Sequence, residues 1–337
     1  MKIAVLGATG LVGRTMLQVL EERGFGNPEK YEIIPSASPR SIGTSIPFAG
    51  RSLTVVSPQD AIAAHPDYAI FSAGASASRL YAPLFAEVGC TVVDNSSAWR
   101  MDPNVPLVVP EINMADIAPS HRIIANPNCS TIQMVLSIFL LHARYKIKRI
   151  VVSTYQSVTG TGMKAIKQLE DEERLYISHI QPENYAPAYP NRIFRNLFPH
   201  GGDFNDDGYT TEEQKLVNET RKILGDDTIQ VSATVARVPV VGGHSESINV
   251  EFHQPILIDD VRSIIAQTPG VILADDPANN IYPMPIMAHG KDEVFVGRVR
   301  LDPSQPNTIN LWCSADNLRK GAATNAVQIL QALLSNS

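Results

Sequence analysis

Residues 7–13 read GATGLVG and stand between an apolar run, Lys2–Leu6, and an amphipathic segment, Arg14–Arg23. The β-branched run predicts a strand, and the segment after it predicts a helix that ends at Gly24. Glycines at such a junction allow a tight turn and let backbone amides at the helix N-terminus approach a pyrophosphate. Because the spacing is GxxGxxG rather than GxGxxG, an ordinary glycine-rich turn is the alternative to a dinucleotide site.

The first 125 residues continue this alternation of strands and helices. Strands are predicted at Tyr31–Ile34, Tyr68–Phe71 and Thr91–Val93, with a helix at Ser78–Val88. Repeated units of this kind are typical of a parallel sheet built from βαβ units. Ligands of such sheets bind at the carboxyl ends of the strands, where the Gly, Ser and Asn residues of this chain collect.

The second half of the chain carries longer strands in which apolar and polar residues alternate, a pattern that predicts a mixed sheet covered on one face. The predicted strands are Arg149–Tyr155, Thr228–Val238, Ser245–His253, Glu293–Arg300 and Thr308–Ser314. Helices are predicted at Met163–Tyr176 and Glu212–Leu224, the latter opening with a capping box between Thr210 and Glu213. Residues 178–208 are rich in Pro, Asn and Gly, which indicates a long ordered loop region.

Composition excludes several classes of protein. The 337 residues suggest about two domains at roughly 150 residues each, and the formal net charge of −6 argues against binding to nucleic acid or anionic membrane. Three cysteines, Cys90, Cys129 and Cys313, are too few for a disulfide framework, and their spacing predicts no metal site. The first apolar run is too short for a secretory signal and the longest, Met134–Leu141, is too short to span a membrane, so a soluble, cytoplasmic protein is expected.

The end of the second predicted strand indicates which dinucleotide is bound. NAD-selective sites place an acidic residue about 20 residues beyond the glycines, but residues 35–41 read PSASPRS and contain no acid. Arg40 and the hydroxyls of Ser38 and Ser41 could bind a 2′-phosphate instead. A solvated basic loop is the alternative for Arg40 alone, but the missing acid favours NADP over NAD.

Residues 126–131, NPNCST, precede an almost wholly apolar predicted helix, Ile132–Tyr145. A helix N-terminus stabilises a thiolate and supplies donors to an oxyanion, so Cys129 is a candidate nucleophile. Cys313 lies within an apolar strand and Cys90 just before one, and both are expected to pack. Because small buried cysteines are common, a structural Cys129 stays equally open on these residues alone.

Charged and titratable residues supply further candidates. Arg237 shares the apolar side of its strand with Val231, Ala233 and Val235, where a charge caps a sheet edge or grips an anion. His244 follows a Gly-Gly turn and has an ordinary pKa near neutrality, although a lone Gly-His pair more often marks a surface loop.

Glu212 and Lys215 share one helix face. Together with Glu219 they resemble an ordinary solvated ion-pair stripe.

Seven blocks, in order and spanning the chain, resemble the aspartate-semialdehyde dehydrogenase family. They are GATGLVG (7–13), SSAWRMD (96–102), NPNCST (126–131), STYQSVTGTG (153–162), EEQK (212–215), RVPVVGGHSES (237–247) and DNLRKGAATNAVQI (316–329). The sequence departs from the family pattern after His200, where Gly201-Gly202-Asp203 follows, and at Pro39 in the cofactor block.

The resemblance implies an α/β fold with a Rossmann-like parallel-sheet domain and an α+β catalytic and dimerisation domain with a mixed sheet, as in glyceraldehyde-3-phosphate dehydrogenase. The dinucleotide-binding domain would comprise residues 1–128 and 316–337, with the last helix, Leu318–Leu334, packing on it. Residues 129–315 would form the catalytic domain. The family also implies a homodimer or a tetramer built as a dimer of dimers.

The implied reaction is NADPH-dependent reduction of L-aspartyl 4-phosphate to L-aspartate 4-semialdehyde and phosphate through a Cys129 thioester. It belongs to the biosynthesis of lysine by way of diaminopimelate, and of threonine, methionine and isoleucine. By resemblance, His244 is the acid/base, Gln156 orients the substrate, Arg237 binds its α-carboxylate, Glu212 binds its amino group, and Lys215 and Arg100, assisted by Asn128, bind phosphate. The implied cofactor-binding residues are Gly7, Thr9, Gly10, Leu11, Val12, Gly13, Ser38, Arg40, Ser41, Gly74, Thr159, Gly160 and Asn317.

Three other functions would each use part of this residue set. N-acetyl-γ-glutamyl-phosphate reductase shares the architecture and the thioester chemistry, but an acetylated substrate has no cation for Glu212 to pair with. A dinucleotide-sensing protein would not need Cys129, Gln156, Arg237 and His244 in family order. A thiol hydrolase would need the cysteine and the histidine but no dinucleotide loop.

Overall fold

The structure is a computed structural model that describes residues 1–180 and 182–335. The chain divides into two compact units, Met1–Asn128 with Gly321–Ser337 (unit 1) and Cys129–Lys320 (unit 2). The functional domain limits derived from the sequence, with breaks after 128 and before 316, stay a prediction. In the described residues no helix is both long enough and apolar enough to cross a membrane.

Unit 1 is built around a parallel sheet. Its elements are β1 (Lys2–Leu6), α1 (Leu11–Leu20), β2 (Glu32–Ser36), β3 (Ser45–Phe48), β4 (Arg51–Thr54), α2 (Pro58–Ala63), β5 (Tyr68–Phe71), α3 (Ala75–Glu87), β6 (Thr91–Asp94), α4 (Pro110–Asn113), β7 (Ile123–Ala125) and, after unit 2, α10 (Thr324–Ser335). The strand order is β2-β1-β5-β6-β7, all parallel, and β3 and β4 form a separate hairpin.

Both faces of this parallel sheet are covered. Ile3 and Val5 of β1 belong to a core shared with α1 and α10, whereas Ala4 and Leu6 belong to a second core with α2 and α3. Successive side chains of a strand point to opposite faces, so strands buried on both sides must be apolar throughout. The predicted Rossmann-like parallel sheet is confirmed.

All three predicted helices of unit 1 begin elsewhere than predicted. Helix α3 begins at Ala75 rather than Ser78. Helix α1 begins at Leu11, directly after its N-cap Gly10, rather than at Arg14. Helix α10 begins at Thr324 rather than Leu318, because Arg319–Ala323 form a π-helical turn before it.

Unit 2 is built around a mixed sheet. Its elements are α5 (Cys129–Tyr145), β8 (Ile147–Gln156), α6 (Met163–Ser178), α7 (Thr211–Leu224), β9 (Gln230–Arg237), β10 (His244–Phe252), α8 (Ile258–Gln267), β11 (Val271–Leu273), α9 (Pro285–Ala288), β12 (Val294–Leu301) and β13 (Thr308–Ala315). The strand order is β11-β12-β13-β10-β8-β9, in which β8–β9 and β11–β12 are parallel pairs and the other pairs antiparallel.

One face of the mixed sheet is covered by helix α5, which packs on β10, β13 and β8. Ile248 and Val250 of β10 are fully buried, whereas on the opposite face Tyr155 and Trp312 are half-buried with ring centroids 5.2 Å apart. Because the buried face takes every second residue, the alternation seen in the sequence correctly predicted a mixed sheet with one covered face.

The register of this sheet brings the termini of several strands to the same end of the sheet. Gln156, the last residue of β8, pairs with Arg237, the last residue of β9. His244 begins β10 and pairs with Ala315 at the end of β13. Gln156, Arg237 and His244, which are far apart in the chain, therefore lie at the same end of the sheet.

Candidate active site

Cys129 is the first residue of helix α5, which begins three residues before the predicted Ile132. It is partly exposed, whereas Cys90 and Cys313 are buried. Burial raises the pKa of Cys90 to about 12 and that of Cys313 well above its ordinary value, which keeps both as uncharged packing thiols. The position of Cys129 in a first helical turn is the one that favours a thiolate.

Gln156 lies beside that first turn. It is almost wholly buried, and its Nε2 donates a hydrogen bond to Oγ of Ser130 at 3.0 Å. Since Ser130 follows the candidate nucleophile directly, the bond ties the end of β8 to the start of α5. The predicted role of Gln156 in orienting the substrate requires such proximity.

His244 is fully buried, and its Nδ1 accepts a hydrogen bond from the backbone N–H of Ser157 at 3.0 Å. An accepting Nδ1 assigns the proton of the neutral ring to Nε2. That Nε2 has no hydrogen-bond partner among residues 1–180 and 182–335. Burial, with a contribution from Arg237 that outweighs the opposing effect of Glu212, lowers the pKa of His244 to about 3. The ring is therefore neutral at physiological pH and presents an N–H donor.

Arg237 is a buried cation on the apolar side of β9, as its strand pattern predicted. Its Nη1 donates to the backbone oxygen of Ser157 at 2.9 Å. Its Nε is buried and makes no hydrogen bond within the described part of the chain. A buried guanidinium with an unsatisfied N–H is suited to bind a carboxylate.

Gly160 lies close to the side chains of both Arg237 and His244. A Cβ at this position would lie 2.9 Å from Nη1 of Arg237 and 3.2 Å from Nε2 of His244. The neighbouring Thr159 donates from Oγ1 to Oδ1 of Asn317 at 2.7 Å. The structure thus brings Thr159 and Asn317 together. It also places Gly160 beside Arg237 and His244.

Glu212 and Lys215 form an ion pair of 2.8 Å within the first turns of α7. Lys215 is more exposed than Glu212. The capping box that precedes them is confirmed, with Thr210 and Glu213 satisfying each other's backbone amides. Glu212 is also close enough to His244 to oppose the lowering of its pKa. Both residues stay predicted substrate and phosphate ligands.

Arg100 and Asn128, the other predicted phosphate ligands, are both buried and belong to unit 1. Arg100 donates from Nε to the backbone oxygen of Asn126 at 2.9 Å and from Nη2 to that of Asn95 at 2.8 Å. These bonds fix the position of the guanidinium within unit 1.

The glycine loop of unit 1 has the close packing that a dinucleotide site requires. A Cβ on Gly13 would lie 2.1 Å from the backbone oxygen of Gly7, so α1 could not begin so close to the strand with any other residue. Gly7 itself has φ +83° and lies against the backbone oxygen of Ser72. Glycine is required at both positions for the helix N-terminus to approach the end of β1.

The loop after β2 lies beside this glycine loop. Thr9 Oγ1 is 3.4 Å from Ser41 Oγ, which belongs to a short 3₁₀ turn, Pro39–Ser41. Pro39 begins that turn, a position where proline is tolerated because the first residue of a helical turn needs no N–H donor. Ser38 and Arg40 are exposed.

Gly74 is the N-cap of α3, with φ +81°, directly beyond β5. It therefore lies at the carboxyl ends of the strands with the glycine loop. No group of three or more potential metal ligands is present in the described residues.

Two residues of the site were not found from the sequence. Ser157 holds His244 through its N–H and Arg237 through its carbonyl, and its place directly after Gln156 in a recognised block was the available signal. Tyr189 lies with its ring centroid 5.9 Å from Cζ of Arg237. It stands in the Pro-rich segment 178–208, where no periodic pattern marks it.

The comparisons with known proteins place both halves of the chain in one family. Residues 2–120 match the family model of the semialdehyde dehydrogenase NAD binding domain. Residues 140–320 match that of the semialdehyde dehydrogenase dimerisation domain.

Similar proteins extend over the whole chain. An aspartate-semialdehyde dehydrogenase of Aquifex aeolicus is 49% identical over 99% of this chain and 98% of its own length. One of Bacillus subtilis is 43% identical over 98% of this chain and 96% of its own. The crystal structure of aspartate semialdehyde dehydrogenase II of Vibrio cholerae complexed with ASA is 43% identical, covers 99% of this chain and 98% of that one, and superposes with a TM-score of 0.93.

Proposed function

Because the chain belongs to the semialdehyde dehydrogenase family, we propose that it reduces L-aspartyl 4-phosphate to L-aspartate 4-semialdehyde and phosphate with NADPH. The observation that carries this proposal is the site of unit 2. There a partly exposed cysteine begins a helix, and a buried imidazole N–H and a buried guanidinium lie at the sheet edge.

In the first step, the thiolate of Cys129 attacks the acyl carbon of the substrate, and phosphate leaves with the bonding electron pair. The product is a thioester at Sγ. The amide groups of the first turn of α5 stabilise both the thiolate and the negative oxygen of the tetrahedral intermediate. The bond from Gln156 to Ser130 holds the Gln156 amide beside this turn, where it can orient the acyl group.

His244 presents its Nε2–H toward the reacting groups as long as Ser157 donates to Nδ1. In this tautomer the ring can donate to a substrate oxygen but cannot take the thiol proton, because its one available lone pair is already used. We infer that its first role is that of a hydrogen-bond donor to developing negative charge, and that proton transfer requires the Ser157 bond to open. The predicted acid/base role of His244 is therefore kept for the state in which the Ser157 bond is open.

Arg237 would bind the α-carboxylate of the substrate through the Nε–H that the described residues leave unsatisfied, while Ser157 holds its Nη1. Glu212 would pair with the α-amino group, and Lys215 and Arg100 would bind the phosphate, with Asn128 assisting. A free amino group beside an acidic residue is what separates the aspartate substrate from an N-acetylated one.

Unit 1 provides the features that NADP needs. The packing of Gly7 and Gly13 leaves no room for a Cβ, and a loop with Arg40 and no acidic residue follows β2. A guanidinium and hydroxyls suit a 2′-phosphate, which a carboxylate would repel. When bound, NADPH supplies the hydride that reduces the thioester, after which the release of Sγ yields the aldehyde.

The dimerisation-domain match supports a homodimer, and the similar structure complexed with ASA supports a small-molecule substrate. A tetramer and a cytoplasmic location stay predictions, as does the place of the reaction in lysine, threonine, methionine and isoleucine biosynthesis.

The reverse reaction tests the function directly. With aspartate semialdehyde, inorganic phosphate and NADP, the protein should form NADPH at a rate that depends on phosphate. The same assay with NAD should be much slower, and N-acetylglutamate semialdehyde should not replace the substrate. NADPH formation only with the acetylated substrate would identify the reductase of that compound instead, and none with either would refute both.

A further inference from the structure

The segment 185–198, between α6 and α7, has neither helix nor strand in the described chain, but it is bound tightly to two buried side chains of α6. Gln168 accepts the backbone N–H groups of Ala188 and Tyr189 on its Oε1, both at 2.8 Å. Glu172 accepts those of Ile193 and Phe194 on its Oε2, both also at 2.8 Å. Four backbone N–H groups of the segment are thus bonded to buried side-chain acceptors, and these bonds fix its position on α6.

The same segment holds Arg237 at two places. The backbone of Phe198 exchanges two hydrogen bonds with that of Arg237, of 2.9 and 3.2 Å. The ring of Tyr189 lies 5.9 Å from the guanidinium carbon, within the range of a cation–π contact. The ring is fixed in turn, because Tyr189 Oη donates to Thr161 Oγ1 at 2.8 Å and Phe198 packs edge-on against it at 5.2 Å.

These contacts leave the guanidinium little freedom to turn. Ser157 holds Nη1, Tyr189 lies along the cation, and Gly160 stands so close that a Cβ would touch Nη1. Nε lacks a hydrogen-bond partner in the described chain. The unsatisfied N–H therefore keeps one direction, as two-point binding of a carboxylate requires.

We propose that Tyr189 is a positioning residue for substrate recognition, which holds the Arg237 guanidinium at the angle that the substrate carboxylate needs. The proposal rests on the proposed function, and it gives the segment 185–198 a role as the support of the carboxylate-binding side of the site. Tyr189 itself does not touch the reacting atoms.

The test compares Tyr189→Leu with Tyr189→Phe in the NADPH-forming reaction. Loss of the ring in Tyr189→Leu should raise the KM for aspartate semialdehyde about tenfold, with the KM values for phosphate and NADP changed less than about twofold. Tyr189→Phe keeps the ring and should stay within about twofold of wild type for all three. Equal rises in all three KM values, or a phenylalanine variant as impaired as the leucine variant, would overturn the proposal.

A double-mutant cycle separates positioning from a general effect on folding. If Tyr189 acts through Arg237, Tyr189→Leu should cost little in the Arg237→Gln background, whereas independent effects would multiply and contradict the proposal. Tyr185→Phe is the matched control, because Tyr185 belongs to the same segment but supports it through a different contact, a hydrogen bond from its Oη to Glu172 of α6 at 2.9 Å. It should leave the KM for aspartate semialdehyde unchanged, and a rise equal to that of Tyr189→Leu would point to loosening of the segment and against the proposal.

A wild-type protein that forms no NADPH would contradict the proposed function rather than this inference. If Tyr189→Leu fails to fold, Tyr189→Met takes its place, because it also removes the ring, and a KM for aspartate semialdehyde unchanged from wild type would overturn the proposal.

Discussion

Replacing Glu246 by glutamine is expected to remove a large pH dependence from the free energy of unfolding. Glu246 is fully buried on β10, where its carboxyl faces Ser130 and Gln133 of α5 and accepts a hydrogen bond from Sγ of Cys313 at 3.5 Å. Burial raises the pKa of Glu246 from 4.5 to about 8. The carboxyl is therefore mostly protonated and uncharged at neutral pH, close to the turn that carries Cys129.

The direction of the pH dependence follows from the protonation of Glu246 in the folded and in the unfolded chain. Below about pH 4.5 the carboxyl is protonated in both the folded and the unfolded chain, and its stabilising contribution is fully present. Between about 4.5 and 8 only the unfolded chain loses the proton, so stability is lost as the pH rises through this window. One pKa unit corresponds to about 1.4 kcal/mol, so the loss over the whole window is at most about 5 kcal/mol.

Urea unfolding followed by tryptophan fluorescence, at one protein concentration and at pH values from about 5 to about 8.5, measures the effect. Relative to wild type, Glu246→Gln should gain stability steadily as the pH rises, because glutamine cannot ionise. Glu251→Gln on the same strand is the control. The ion pair of Glu251 with Lys148, at 2.6 Å, lowers the pKa of Glu251. The contribution of Glu251 to the free energy of unfolding is therefore lost only as the pH falls below the ordinary pKa of glutamate. This control should differ from wild type by a constant amount over the window.

If the stability of wild type and of Glu246→Gln falls in parallel between these pH values, Glu246 is not a protonated buried carboxyl in the folded protein. A parallel result would also require that water or a cation reaches the space beneath the first turn of α5.

Three further substitutions test the site. Cys129→Ala should abolish turnover and leave NADP binding, measured by fluorescence titration, unchanged; activity above a few per cent of wild type would exclude Cys129 as the nucleophile. Arg237→Lys should both raise the KM for aspartate semialdehyde and lower kcat, with about a tenfold or larger loss in kcat/KM, because a point charge cannot reproduce two-point binding; steady-state kinetics equal to wild type would contradict the carboxylate role. Gly160→Ala should lower kcat/KM by at least about tenfold, because its Cβ would displace Arg237 or His244, and a thermal unfolding curve close to that of wild type would locate the loss in the site.

The sequence by itself determined the elements and the residue types that carry the chemistry. The alternation of Lys2–Leu6 with the glycine loop predicted the first βα unit, and the period of two in β9 predicted that Arg237 lies among apolar side chains. The capping box at Thr210 was predicted with both of its hydrogen bonds. Each of these features depends on residues close together in the chain, whose local geometry repeats with the period of a helix or a strand.

Element ends were predicted less well, because tertiary contacts extend or interrupt the local pattern. Helix α5 continues back to Cys129, so the candidate nucleophile stands in the helix rather than before it. The last helix begins only after a π-helical turn, Arg319–Ala323, which no apolar periodicity reveals.

Only the tertiary structure decided how the candidate residues act on one another. Ser157 and His244 are 87 positions apart in the chain, and the bond between them sets which ring nitrogen carries the proton. The contact of Tyr189 with Arg237 arises in the same way, from a segment without periodic structure held by two acceptors on α6. The pKa of Glu246 likewise depends on burial by α5 and β13. Tautomer, orientation and charge state depend on distances across the fold, and these are set by strand register and by packing, which local sequence patterns do not encode.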